Sequence, residues 1–99
     1  AMGPWIVTRD EFAWEPELPI RCYINGELRQ DSNTRFEIYG AAHVIAELSA
    51  GITLKAGTII AMGTPAGVGM GFTPPRYLGS GDVVRCEIDG IGVLENKVK

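Results

Sequence analysis

A mainly β fold with a single helix, an α+β arrangement, is what this sequence predicts, and three observations carry the prediction. Two stretches alternate apolar and polar residues around tight-turn dipeptides: "LPIRCYINGELRQD" breaks at Asn25-Gly26 and "DVVRCEIDGIGVLENKV" at Asp89-Gly90. Asn-Gly between alternating runs is the strongest short-range hairpin signal, because both residues tolerate the positive φ of a two-residue hairpin turn. Only one stretch, Ala41, Val44, Ile45 and Leu48, repeats apolar residues at helical spacing. Six prolines and thirteen glycines in 99 residues interrupt the remainder, so no further long element fits.

The elements follow in order. "PWIVT" (4–8) reads as a short strand entered by a proline, with Trp5 in the core. "RDEFAWEPELP" is a polar connector in which Asp10 and Glu11 open at most one helical turn before Pro16 and Pro19 stop it. The Asn25-Gly26 hairpin comes next, then the turn formers of "QDSNTRFEI", then a helix of about ten residues closed by Gly51 just past its last turn. Its single apolar face must dock on a sheet. Lys55-Ala56-Gly57 makes a turn, and Thr58 to Met62 is an almost unbroken apolar run, expected as a strand buried on both faces. The expected count is five to seven strands. One helix and two hairpins cannot cover both faces of such a strand, so the fold is expected to be incomplete within this chain. The length suits one domain, burying roughly 60–70% of its unfolded surface.

Charge and composition exclude several classes. The net charge is −3 with no block of like charges, which removes the basic surface that nucleic acid or an anionic membrane would need. No apolar run approaches the ~20 residues of a membrane span. "AMGPW" lacks the character of a secretory leader, and the expected compartment is the cytoplasm. Cys22, flanked by Ile20 and Ile24, and Cys86, flanked by Val84 and Ile88, read as buried free thiols rather than a disulfide.

The segment "IIAMGTPAGVGMG" (59–71) asks for a chemical reading. A phosphate loop requires a lysine directly after its second glycine, and here the nearest, Lys55, precedes the run. A dinucleotide fingerprint must open a helix, whereas Gly71 is followed by Phe72-Thr73-Pro74-Pro75. What survives is a strand end that delivers Gly63 and Thr64, one allowing close backbone approach and the other offering a hydroxyl, to a small carboxylate. The plainer alternative is that Thr64 satisfies a local carbonyl while the glycines turn the chain.

Other candidates have modest readings. His43 lies off the apolar stripe and faces solvent or a neighbouring chain, not a reaction. Asp31, Asp82, Glu87 and Asp89 are dispersed, and no histidine, cysteine or carboxylate grouping makes a self-contained metal site. Trp14 and Tyr77 read as loop packing or interface. Lys55 and Arg76 read as solvated loop charges, with Arg76 close enough to the glycine segment to touch a substrate or partner.

The order of motifs, "GPWIVTRDE", "NGELRQDSNT", a helix, "GTPAGVG" and "PPRYLGSGDVVRCEIDGIGVLEN", resembles the C-terminal part of the fumarylacetoacetate hydrolase superfamily over essentially all 99 residues. The resemblance implies a mixed β-sandwich or roll, of which residues 1–99 are the C-terminal portion of one catalytic domain. It implies that Thr64, with Gly63 beside it, binds the substrate carboxylate. It also implies Mg²⁺ or Mn²⁺ held by two glutamates and an aspartate, with a lysine and a His/Glu pair on a lid, all N-terminal to "GPWIVT". No catalytic and no metal-binding residue is therefore expected in this chain, which would be completed by that missing N-terminal segment and assembled as a homodimer.

The implied reaction is metal-dependent hydrolysis of a C–C bond in a 2,4-dioxo acid of the acylpyruvate type, as in aromatic catabolism, with stabilisation of an enolate as the common difficulty. Tautomerisation or isomerisation, as in 2-hydroxyhepta-2,4-diene-1,7-dioate isomerases, and decarboxylation are alternatives within the same resemblance. Thr58 stands where relatives usually carry aspartate and Met62 where they usually carry threonine, the latter beside the pocket and bearing on substrate preference. Outside the resemblance, a stand-alone β-rich binding module or a catalytically inactive homologue would have the same hairpins.

Overall fold

Both predicted hairpins form. In the computed structural model, which describes residues 1–3 and 5–99, β1 (Pro19–Ile24) turns into β2 (Glu27–Asn33) and β3 (Val83–Ile88) into β4 (Gly92–Lys97). Asn25 and Gly26 take φ values of 51° and 80°, the left-handed pair that matches the twist of the flanking strands. The hairpins join through antiparallel β1 and β3, giving one four-stranded sheet in the order β2-β1-β3-β4. Asn25 also ties them together: its amide nitrogen donates to Asp82 Oδ1 at 2.8 Å and its amide oxygen accepts from the Val83 N–H at 2.8 Å.

The first hairpin carries one irregularity. Cys22 pairs with Gln30 but Tyr23 with Leu28, so Arg29 is an extra residue bulging from β2. Alternation places Ile20, Cys22, Ile24, Val84, Cys86, Ile88 and Leu94 on one face of the sheet. The opposite face carries Arg21, Tyr23, Arg85 and Glu87. Charges there pair along and across strands: Arg21 lies 3.4 Å from Asp31 and 3.3 Å from Asp89, and Arg85 lies 2.6 Å from Glu87.

A single helix, α1 (Ala41–Gly51), follows the first hairpin. Gly40 at its start offers no capping oxygen, and Glu15 of the preceding connector accepts from the Ala42 N–H instead, at 3.0 Å. Gly51 is its last helical residue rather than the residue beyond it, and Ile52 closes the helix by donating to Leu48 O at 3.0 Å. Three single 3₁₀ turns occupy Arg9–Glu11, Thr34–Phe36 and Gly69–Gly71. Among the described residues no helix is long and apolar enough to cross a membrane.

Several expectations fail for one shared physical reason. Among the described residues four strands form, not five to seven. Thr58–Met62 belongs to none of them, and Ile59 is 70% exposed. Residues 5–8 are extended but unpaired; Trp5 is 58% exposed rather than buried, its indole N–H donating to Ile91 O at 2.6 Å, and the proline that opens that stretch lies outside the described residues. The helix stripe does not dock on the sheet, since Ile45 and Leu48 are both exposed. Cys22 is half-buried and Cys86 exposed, so the thiols are free, as expected, without being core residues. Composition sets a segment's preferred shape, but pairing and burial need neighbouring chain that the described residues do not provide. No described side chain is fully buried. The accessible surface is 7593 Å², against about 5,500 Å² for a compact monomer of this mass.

Candidate functional site

The glycine segment lies lengthwise along edge strand β2 and is fastened to it at three successive points. At the first, Gln30 Nε2 donates to Thr64 Oγ1 at 2.8 Å and to Pro65 O at 2.7 Å. Next, Gly67, at φ 107°, passes so close to the bulge that any side chain there would collide with the Arg29 carbonyl. At the third, both terminal guanidinium nitrogens of Arg76, Nη1 and Nη2, donate to Glu27, each at 2.8 Å. The Arg76 N–H returns to Gly69 O at 2.9 Å, closing a compact turn whose Phe72 ring lies under the guanidinium groups of Arg29 and Arg76. The donated hydrogen bonds from Arg76 hold the Glu27 carboxyl below its ordinary range, and Glu27 raises Arg76 in turn.

These attachments place Gly63 and Thr64 at the rim of a groove of about 590 Å³. Its opposite wall comes from Phe36, Ile38, Tyr39 and Val44, and Met62 adjoins the threonine. The lining is mixed, since Ser32, Asn33, Thr34 and Glu37 stand among these apolar side chains. Gly63 takes φ 98° with open space where a side chain would stand, so it is required for its backbone conformation, not for packing. Pro65 has no N–H to offer, which leaves the Thr64 hydroxyl and the main-chain N–H groups of 63, 64 and 66 as the donors this loop brings to the groove.

The remaining candidates do not converge on this groove. His43 is exposed and stacks on Tyr39, ring centres 4.5 Å apart. Asp31 and Asp89 share Arg21, Glu87 pairs with Arg85, and Asp82 caps the Gly79 N–H at 2.8 Å, a hydrogen bond that lowers its carboxyl. Tyr77 is 75% exposed and Trp14 lies under the Arg9 guanidinium. Arg76 is engaged by Glu27 rather than free in its loop. Cys22 and Cys86 face each other across β1 and β3 with sulfurs 3.9 Å apart, and partial burial pushes the Cys22 thiol up to about 11, helped by its neighbour.

The metal implied by the motif order finds no home among these side chains. Among the described residues no three histidine, cysteine, aspartate or glutamate side chains are grouped to hold a cation, so no step is assigned to one here. Two residues of the site escaped the sequence reading, Gln30 and Glu27. An amide or a carboxylate in an alternating strand carries no motif. The one signal was Pro65, whose missing N–H leaves its neighbours to be tied down from elsewhere.

With this geometry in view, comparison with known proteins is informative. The fumarylacetoacetate (FAA) hydrolase C-terminal family model matches residues 1–99. The oxaloacetate tautomerase YisK of Bacillus subtilis (strain 168) is 45% identical over 97 residues, 98% of this chain and 32% of the relative. Fumarylacetoacetate hydrolase of psychrophilic Exiguobacterium antarcticum superposes with a TM-score of 0.93 at 47% identity, covering 98% of this chain and 35% of that one. Maleylpyruvate hydrolase of Sphingobium sp. SYK-6, solved with manganese(II) and pyruvate, gives a TM-score of 0.85 at 40% identity, covering 97% and 34%. The chain thus spans about a third of the length of the relatives it matches.

Proposed function

This chain belongs to the fumarylacetoacetate hydrolase family, C-terminal part, and from that premise we propose that it supplies the substrate-carboxylate loop of an enzyme that forms and protonates the enolate of a 2-oxo acid. The observation that carries the reading is the Gly63-Thr64 rim, where a hydroxyl and open main-chain amides gather beside a groove that also holds the apolar side chains of Phe36, Ile38, Tyr39, Val44 and Met62. A carboxylate docked there gains charge-assisted hydrogen bonds, and its carbon chain runs toward Phe36, Tyr39 and Met62. Fixing that end sets the reacting carbons in register, which is where positioned binding energy lowers a barrier.

Residues 1–99 act in this reading as the C-terminal portion of one catalytic domain. The cation and the acid–base groups come from polypeptide outside the 99 residues. Manganese in the maleylpyruvate hydrolase structure supports a divalent ion, and such an ion would polarise the 2-oxo group when bound. What this chain does is bind the acid, orient it, and line the path of its tail.

Two outcomes of the enolate are distinguishable. Tautomerisation of a 2-oxo diacid is the branch we favour, because the oxaloacetate tautomerase relative is 45% identical over nearly the whole chain. Hydrolysis of a C–C bond in an acylpyruvate-type 2,4-dioxo acid is the second reading, supported by maleylpyruvate hydrolase at 40%.

The test uses the full-length enzyme that carries this chain, with Mg²⁺ or Mn²⁺. Oxaloacetate enol decay followed in the ultraviolet reports the first branch, and pyruvate released from an acylpyruvate reports the second; release without enol decay reverses the preference. Thr64→Val should lower kcat/KM by about 10- to 150-fold, equivalent to about 1.5–3 kcal/mol for one lost charge-assisted hydrogen bond. An unchanged value removes Thr64 from the site. The isolated 99-residue chain should turn over neither substrate, and metal-dependent turnover by it alone would contradict the proposed division of labour.

A further inference from the structure

We propose that Gln30 is a positioning residue that fixes the direction in which the Thr64 hydroxyl donates; this rests on the carboxylate reading of Thr64 above. Hydrogen-bond chemistry decides the point. Pro65 O can only accept, so the Gln30 atom 2.7 Å from it is the amide nitrogen, not the amide oxygen. The same nitrogen lies 2.8 Å from Thr64 Oγ1. An amide nitrogen has two hydrogens, and each is now committed to one of these two oxygens.

Thr64 Oγ1 therefore accepts from within the chain, and its own hydrogen is left for a different acceptor. No other described side chain or carbonyl takes it. A hydroxyl that already accepts one hydrogen bond is polarised into a better donor. The donor that the groove offers to an anion is thus held by an amide on β2 rather than by rotation of the threonine itself. Holding Pro65 O as well, Gln30 stops that carbonyl from turning toward the groove, where it would repel a carboxylate. At this rim the oriented hydroxyl offers a donor and the Pro65 carbonyl is held away, which suits an anionic acceptor.

The experiment is a double-mutant cycle in the full-length enzyme, with Mn²⁺ present and pyruvate as the binding probe alongside the 2-oxo acid substrate. Gln30→Glu keeps the shape but replaces the donor with a group that accepts, so the Thr64 hydrogen turns back toward β2. KM for the acid and Kd for pyruvate should each rise about tenfold or more, with kcat changing far less. Lowering the pH should restore part of the loss, because a protonated Glu donates again. Gln30→Met, of similar volume and without a donor, should show the same rise with no recovery at low pH, and it serves if Gln30→Glu does not fold. In a Thr64→Val background either substitution should add much less than it costs alone, the remainder being the effect of the released Pro65 carbonyl.

Penalties that multiply in the double variant, or an unchanged KM in Gln30→Glu while Thr64→Val is impaired, overturn the positioning role and leave the carboxylate reading standing. A Thr64→Val enzyme with normal KM and pyruvate affinity brings down the carboxylate reading, and this inference with it.

Discussion

Two halves of this molecule are held by different means. The sheet of β1 to β4 is secured by its ladder: every strand hydrogen-bonds along its length to a neighbour, two positive-φ turns set the register, and Asn25 joins one hairpin to the other. The run from Ile52 to Leu78 contains no strand and no α-helix, and a handful of identified contacts along β2 set its course. A ladder distributes its stability over many weak bonds, so a single change is absorbed. A path fixed at three points is sensitive at each, and that is the half carrying the groove.

The sharpest way to break this contrast is Gly67→Ala. Its left-handed φ and its contact with the Arg29 carbonyl both oppose a side chain, and the expected cost is on the order of 3 kcal/mol in urea unfolding of the full-length enzyme. Gly57→Ala is the partner experiment, since Gly57 has a similar φ of 85° but open space around it. Strain alone should cost about 1 kcal/mol there. Equal losses at the two positions would mean that the contact with β2 is not what fixes the segment.

A smaller effect probes the sheet. The apolar face that includes Cys22 and Cys86 is only partly covered in this chain, with Cys86 the more exposed. Because Cys22 is half-buried with its thiol pushed up to about 11, while Cys86 is exposed, Cys22 should react with a maleimide or disulfide reagent more slowly than Cys86 at neutral pH in the 99-residue chain. The lower thiolate fraction is partly offset by higher intrinsic nucleophilicity. Single Cys→Ser variants read by mass spectrometry separate the two rates. In the full-length enzyme both thiols should be protected, and a fast Cys86 there would show that this face stays open.

The smallest effect is the pH response of the third attachment. Arg76 lowers the Glu27 carboxyl, so the ion pair's contribution is fully present above the ordinary glutamate range and is lost as the pH falls through the lowered value. The protection factor of the Arg76 amide, whose N–H donates to Gly69 O, should stay constant from neutral pH down to that range and fall below it. Glu27→Gln should abolish the acid-dependent step. Both side chains are largely exposed, so the change should be local, leaving global unfolding almost unmoved. An acid step that persists in Glu27→Gln would assign it to another carboxylate.

What could be read from the sequence follows the same division. Asn25-Gly26, Asp89-Gly90 and the Ala41–Leu48 stripe are local signals, and the elements they announced are present. Ile59-Ile60 and Trp5 are equally apolar, yet their composition promised burial that requires surfaces beyond their own neighbourhood, and both stand exposed or half-exposed. For the candidate site, Gly63 and Thr64 stand out in the sequence because glycine before Thr-Pro is an unusual way to leave an apolar run. Gln30 does not, because what distinguishes it is the distance to a residue 34 positions away.

The bulge at Arg29 has a consequence for how such a site can be gained or lost. With a two-residue turn and an unbroken ladder, Gln30 would pair with Arg21 and point away from Thr64; the one extra residue moves it opposite Cys22 and onto the side where the threonine lies. The hairpin thus counts in odd and even. Inserting or removing one residue between Asn25 and Gln30 would leave two well-paired strands behind, and would turn the amide's back on its threonine, silencing the proposed carboxylate loop without altering a single letter of it.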